Sequence, residues 1–292
     1  PDAPLVEVAV GEDGVTLTIT GEPGATATIT AADGSPLGTV VLDGEGAGSI
    51  LLDPLDAQDV TVTQTDVAGN VSDAAVVPVP DTLAPDAPLV EVAVGEDGVT
   101  LTITGEPGAT ATITAADGSP LGTVVLDGEG AGSILLDPLN AQDVTVTQTD
   151  VAGNVSDAAV VPVPDTLAPD APLVEVAVGE DGVTLTITGE PGATATITAA
   201  DGSPLGTVVL DGDGAGSILL DPLDAQDVTV TQTDVAGNVS DAAVVPVPDT
   251  LAPDAPLVEV AVGEDGVTLT ITGEPGATAT ITAADGSPLG TV

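Results

Sequence analysis

The stretch Val15-Thr16-Leu17-Thr18-Ile19-Thr20 alternates between apolar and hydroxyl side chains, with Gly14 and Gly21 bracketing it. Successive residues of a strand point to opposite faces, so Val15, Leu17 and Ile19 share one face and Thr16, Thr18 and Thr20 the other. That is the pattern of a half-buried strand. The dominance of β-branched residues and the lack of a 3.6-residue stripe argue against helix. Working outward, the same period-2 pattern recurs between clusters of Gly, Pro and Asp. It predicts seven strands, over residues 5–10, 15–20, 26–31, 37–42, 49–52, 60–65 and 71–79. The turns between them fall at 11–14, 21–24, 33–36, 43–48, 53–59 and 66–70.

The string PDAPLVEVAV starts at Pro1, Pro85, Pro169 and Pro253, a spacing of 84 residues. The expected domains are therefore 1–84, 85–168, 169–252 and a partial copy, 253–292, which suggests a segment of a longer array. The complete copies differ at two positions: Glu45 and Glu129 correspond to Asp213, and Asp56 and Asp224 correspond to Asn140. The position of Asp56 thus tolerates the loss of its charge. Seven short strands per unit predict an all-β chain of tandem immunoglobulin-like β-sandwiches with Greek-key connections, forming an extended rod.

The 292 residues include 47 Asp plus Glu and no Lys, Arg or His, for a formal charge of −47. Phosphate backbones and anionic lipids are bound through Lys and Arg, so nucleic acid and anionic membranes are excluded as electrostatic partners. General acid–base and nucleophilic catalysis lean on His, Lys and Cys, and all three are missing. Zinc, haem and iron–sulfur ligation lack their usual donors, which leaves hard, oxygen-seeking cations. High charge favours disorder only with low hydrophobicity, whereas 42% of the residues are apolar and the mean hydropathy is +0.42. The core must be built from Val, Ile, Leu and Ala, because Phe, Trp, Tyr, Met and Cys are absent. No apolar run reaches the roughly 18 residues of a membrane span.

Turns of a seven-strand sandwich alternate between its two ends. The second, fourth and sixth turns lie where the chain enters and carry Glu22, Asp43, Glu45 and Asp66. The first, third and fifth, with Glu12, Asp13, Asp33, Asp53, Asp56 and Asp59, lie where it leaves. Between repeats runs Val79-Pro80-Asp81-Thr82-Leu83-Ala84-Pro85-Asp86-Ala87-Pro88, whose prolines favour an extended, stiff connection. The first junction is thereby expected to gather Asp81 and Asp86 with Glu106, Asp127, Glu129 and Asp150. Equivalent positions are Asp165, Asp170, Glu190 and Asp234 at the second, and Asp249, Asp254 and Glu274 at the third. The leading end of the first repeat carries Asp2, Glu22 and Asp66. Like charges 4 Å apart repel by ~1 kcal/mol in water, and a bound divalent ion relieves this. Calcium accepts six to eight oxygens in flexible geometry and is the favoured ion. The plainer reading is a set of solvated turn aspartates making local hydrogen bonds.

Three motifs, Gly21-Glu22-Pro23-Gly24-Ala25-Thr26, Thr65-Asp66-Val67-Ala68-Gly69-Asn70-Val71-Ser72 and Asp81-Thr82-Leu83-Ala84-Pro85, recur in order along the array. They resemble bacterial immunoglobulin-like repeats in the extender regions of giant RTX and biofilm-associated surface adhesins. The resemblance implies an extracellular stalk on a bacterial surface, rigidified by calcium at domain junctions. It points to Asp81, Glu106 and Asp150 as ligands at the first junction, Asp165, Glu190 and Asp234 at the second, and Asp249 and Glu274 at the third. Neighbouring repeats are the expected partners. A self-assembling filament of other copies of the chain, and a ligand- or ice-binding adhesin module, are the alternatives. Thr26, Thr28 and Thr30 are expected to face Thr61, Thr63 and Thr65, as ordinary outward-facing sheet residues do. Asn70-Val71-Ser72 fits a glycosylation acceptor, but Gly69-Asn70 at a hairpin tip is expected from turn chemistry alone, and that reading is favoured. The repeated carboxylate pairs lack any cleft or aromatic platform for glycoside hydrolysis, so no enzymatic activity is expected.

Overall fold

In the first repeat the chain forms β1 (Leu5–Gly11), β2 (Gly14–Thr20), β3 (Thr26–Thr30), β4 (Pro36–Val41), β5 (Ala47–Leu52), β6 (Gln58–Thr65) and β7 (Ala75–Val79). These come from a computed structural model that describes residues 1–11, 13–95 and 97–292; Glu12, expected in the first turn, lies outside the described residues. Strands β1-β2-β5 make one sheet and β4-β3-β6-β7 the other, all antiparallel. The second repeat runs from β8 (Leu89–Gly95) to β14 (Ala159–Val163) and the third from β15 (Leu173–Gly179) to β21 (Ala243–Val247), in the same order. Among the described residues every element is a strand. The chain is therefore an all-β array of immunoglobulin-like sandwiches. By contact it divides into two units, Pro1–Leu167 and Ala168–Val292.

The alternation that announced β2 governs its burial, with Val15, Leu17 and Ile19 each 0% exposed. They meet Ala27 and Ile29 of β3, Val60 and Val62 of β6 and Leu42 across the sandwich, and each complete repeat holds its own separate core of this kind. Val, Leu and Ile with small Ala side chains fill the space between the sheets, each of the branched ones contributing about 1.5–3 kcal/mol when fully buried. On the outer face the expected threonine pairs form: Thr26 opposite Thr65, Thr28 opposite Thr63 and Thr30 opposite Thr61.

The last predicted strand, 71–79, is split. Val71 makes a lone bridge to Thr65, and regular pairing resumes at Ala75. Ser72 interrupts it: its hydroxyl accepts the Gln64 N–H at 2.9 Å and donates to the Asp73 carbonyl at 2.7 Å, which turns the chain aside.

The turns sort between the ends as expected. Gly21 N–H donates to the Gly46 carbonyl at 2.8 Å, joining the second and fourth turns, and Glu22 N–H donates to Gln64 beside the sixth. At the trailing end Ala32 N–H donates to the Gln58 side chain at 3.0 Å.

In 253–292, β22 (Leu257–Gly263) pairs with β23 (Gly266–Thr272) and β24 (Thr280–Thr282) with β25 (Pro288–Thr291). Val267 is 63% exposed there, against 0% for its counterparts Val15, Val99 and Val183, because residues 253–292 hold no counterpart of β5, β6 or β7 to cover it.

Candidate junction site

The segment joining the first two repeats is fastened to both. At its start, Thr82 N–H donates to the Leu55 carbonyl at 2.9 Å, and Leu55 N–H donates to Thr82 Oγ1 at 3.2 Å. At its end, Gln148 Nε2 donates to the Asp86 carbonyl at 2.6 Å. Gln148 sits on β13 (Gln142–Thr149), 2% exposed, and its Oε1 accepts the Glu106 N–H at 2.8 Å. A single buried amide thus joins the linker to the turn that carries Glu106. Gly105 makes room for it, since a Cβ there would stand 2.2 Å from Gln148 Oε1.

Beside this amide, residues 150–154 wrap around the Asp150 carboxylate. Its Oδ1 accepts the backbone N–H groups of Gly153 at 2.7 Å and Asn154 at 2.9 Å, and its Oδ2 accepts Asn154 Nδ2 at 2.7 Å. Burial pushes Asp150 toward the neutral form, but the Asn154 side chain and the backbone donors of Asn154 and Gly153 together outweigh it and hold the group below its ordinary range. Asp66 has the same turn in the first repeat, and hydrogen bonds from Asn70 lower it likewise. Asp150 is only 8% exposed, whereas Asp66 is half-buried. Beside this turn, Asn154 Nδ2 stands 3.5 Å from Asp81 Oδ1 of the linker.

Glu106 completes the group. Its side chain is exposed, yet partial desolvation and then the charges of Asp150, Asp81 and Asp56 raise it above the usual carboxylate range. The structure therefore brings three expected residues, Asp81, Glu106 and Asp150, within electrostatic reach, and adds Asp56 from the trailing end of the first repeat. Their oxygen-only chemistry suits a hard cation. Among the described residues, no three carboxylates are arranged to hold a metal ion, so a cation would have to draw Glu106 inward.

Other expected residues have different places. Asp86 offers the linker carbonyl just described, and its side chain is exposed. Asp127 is engaged in its own turn, accepting N–H groups from Glu129 at 3.0 Å and Ala131 at 2.8 Å. In the first repeat, Gln64 joins the Asp2 carbonyl at 2.7 Å to Glu22 N–H at 2.8 Å. In the third, Gln232 joins Asp170 to Glu190 at 2.6 and 2.9 Å, and all three line one depression. Asp234 repeats the Asp150 turn, 7% exposed. Asp165 and Asp249 each cap a short turn, accepting N–H groups from Leu167 and Leu251. Asp254 and Glu274 line a common depression in 253–292.

Comparison with known families settles what kind of repeat this is. The profile of the bacterial Ig domain matches residues 1–81, 84–165 and 168–249. The chain belongs to the bacterial Ig domain family. Solved structures similar to these bacterial Ig domains include a biofilm-associated protein BSP domain, 13% identical, covering 86% of this chain and 67% of that one, with a TM-score of 0.28. Another, described as concerning host cell surface retention of a 1.5-MDa bacterial ice-binding adhesin, is 21% identical, covers 85% and 98%, and has a TM-score of 0.25. The chicken CNTN1 FN1-FN3 domains are 14% identical, with coverage of 85% and 100% and a TM-score of 0.34. No curated protein matches the chain.

The residues that sequence reasoning passed over in these bacterial Ig domains are Gln64, Gln148 and Gln232. Their signal is visible: after Val60 and Val62 the next inward position of β6 is Gln64, a polar side chain in an apolar register. Thr82 and Asn154 carried no such signal, because threonines and turn asparagines are ordinary in such sequences.

Proposed function

We propose that the chain is a non-enzymatic spacer, an extender segment of a bacterial surface adhesin working outside the cell, with calcium stiffening its domain junctions. Tandem bacterial Ig domains of near-identical sequence suit such a role, because each repeat has its own core and adds length without needing its neighbours to fold. The observation that carries the calcium reading is the approach of Asp81 of the linker to the Asp150–Asn154 turn, with the raised Glu106 beside them. Three carboxylates and no side-chain cation lie within electrostatic reach of one another there, and a calcium ion that drew them together would find oxygen ligands alone.

A calcium titration of the full chain, followed by melting temperature and small-angle scattering, tests this. Calcium is expected to raise the melting temperature and lengthen the particle relative to a chelated sample. Profiles that superimpose with and without calcium would exclude the metal from the reading.

A further inference from the structure

The linker leaves few degrees of freedom even without an ion. Thr82 is tied to Leu55 of the first repeat and Asp86 to Gln148 of the second, so Leu83, Ala84 and Pro85 alone lie between the ties. Pro85 has its φ fixed by the ring and is itself buried. Ala84 precedes a proline and is confined to extended conformations. Leu83 donates its N–H to Asp81 Oδ1 at 3.0 Å, which closes a local turn. Each of the three residues between the ties is thus separately restrained.

We infer that Thr82 and Gln148 form a metal-independent two-point pin that orients the first junction, Gln148 acting as a positioning residue for the linker. The fold itself does not call for an amide at 148. An aliphatic side chain would continue the apolar face begun by Val144 and Val146. What the amide adds is a donor to Asp86 and an acceptor for Glu106, both outside its own strand. The amide uses its nitrogen and its oxygen once each in these two bonds, while the Gln148 backbone N–H and carbonyl are held by Ser156. The pin deepens the spacer reading and rests on it in one respect, since a fixed junction is useful to a spacer.

The test uses spin labels on the full chain. It contains no cysteine, so Leu51→Cys and Leu135→Cys, exposed sites of the first and second repeats, take the labels without background. Distance distributions are recorded in chelator, because the pin contains no metal. Gln148→Leu is expected to broaden the distribution about twofold, releasing the linker end. Gln64→Leu removes the same network in the first repeat, which lies outside this junction, and is the matched control expected to keep the wild-type width. An unchanged width in Gln148→Leu, or equal broadening in both variants, overturns the pin. Should Gln148→Leu unfold its repeat, Thr82→Val at the half-exposed other end decides: broadening supports the pin and a wild-type width overturns it. Loss of the calcium response with the wild-type width intact would remove the ion and leave the pin standing.

Discussion

The side-chain amide of Asn154 stands 3.5 Å from the carboxylate of Asp81, 73 residues earlier in the chain and in the preceding repeat's linker. The same amide donates to Asp150 at 2.7 Å, so one asparagine spans an acid of the turn and an acid of the linker. Two carboxylates are held near each other by a neutral donor, which lowers their repulsion without removing it.

Glu106 and Asp150 should respond to pH in opposite senses. Glu106 is raised in the folded state, so its ionised form destabilises the fold at neutral pH, and the penalty fades as pH falls through the raised value toward the unfolded one. In chelator, Glu106→Gln is expected to melt higher than wild type at pH 7 and to converge with it in acid. In calcium the order should reverse if Glu106 serves as the proposed ligand. Melting curves in the two buffers check both halves.

Asp150 is lowered in the folded state, so it contributes stability above its unfolded value and loses it as pH falls through the folded one. Asp150→Asn should therefore melt below wild type at neutral pH and approach it in acid. A constant difference across that range would show that charge is not the cause.

Separate cores predict separable melting. Ile113 is fully buried in the second repeat's core, and Ile113→Ala is expected to cost about 2–5 kcal/mol there. Calorimetry should then show the second repeat melting ahead of the third. A single transition, shifted as a whole, would mean that the repeats unfold as one.

Gly130 combines a positive φ of 79° with a close approach: a Cβ there would lie 2.2 Å from the Gly105 carbonyl oxygen. That carbonyl belongs to the turn leading into Glu106, and Gly105 N–H in return donates to the Gly130 carbonyl at 2.8 Å. Gly130→Ala is expected to destabilise the second repeat by roughly 2 kcal/mol or more and to displace the Glu106 turn. Chemical shifts of Glu106 and Gln148 amides would report the displacement.

Charge without side-chain counter-charge predicts strong salt dependence. As sodium chloride rises from about 0.01 M to about 1 M the screening length falls from ~30 Å to ~3 Å, and the melting temperature in chelator should climb with it. A flat response would mean that repulsion among the carboxylates contributes little to the stability of the fold.

Most of the fold was legible because strand burial depends on local alternation. Val15, Leu17 and Ile19 had to face inward together, and the proline and glycine clusters limited each strand to a few residues. The split before β7 was less legible, since Val71 and Ser72 continue an apolar-polar pattern and only the Ser72 hydroxyl's choice of partners turns the chain aside. At the junction, turn parity and the linker grouped Asp81, Glu106 and Asp150 together with Asp86, Asp127 and Glu129. They could not separate Asp127, which is consumed by its own turn, or show that Asp86 contributes a carbonyl.

By itself, then, the sequence determined an all-β array of 84-residue repeats with aliphatic cores and acidic ends, because periodicity and composition act residue by residue. Tertiary structure decided how one repeat meets the next. A hydrogen bond such as Gln148 to Asp86 joins residues 62 positions apart, and its existence depends on which strand lies beneath the linker after folding. Local pattern constrains faces and turns; it carries no term for the distance between chain segments that only the closed sandwich brings together.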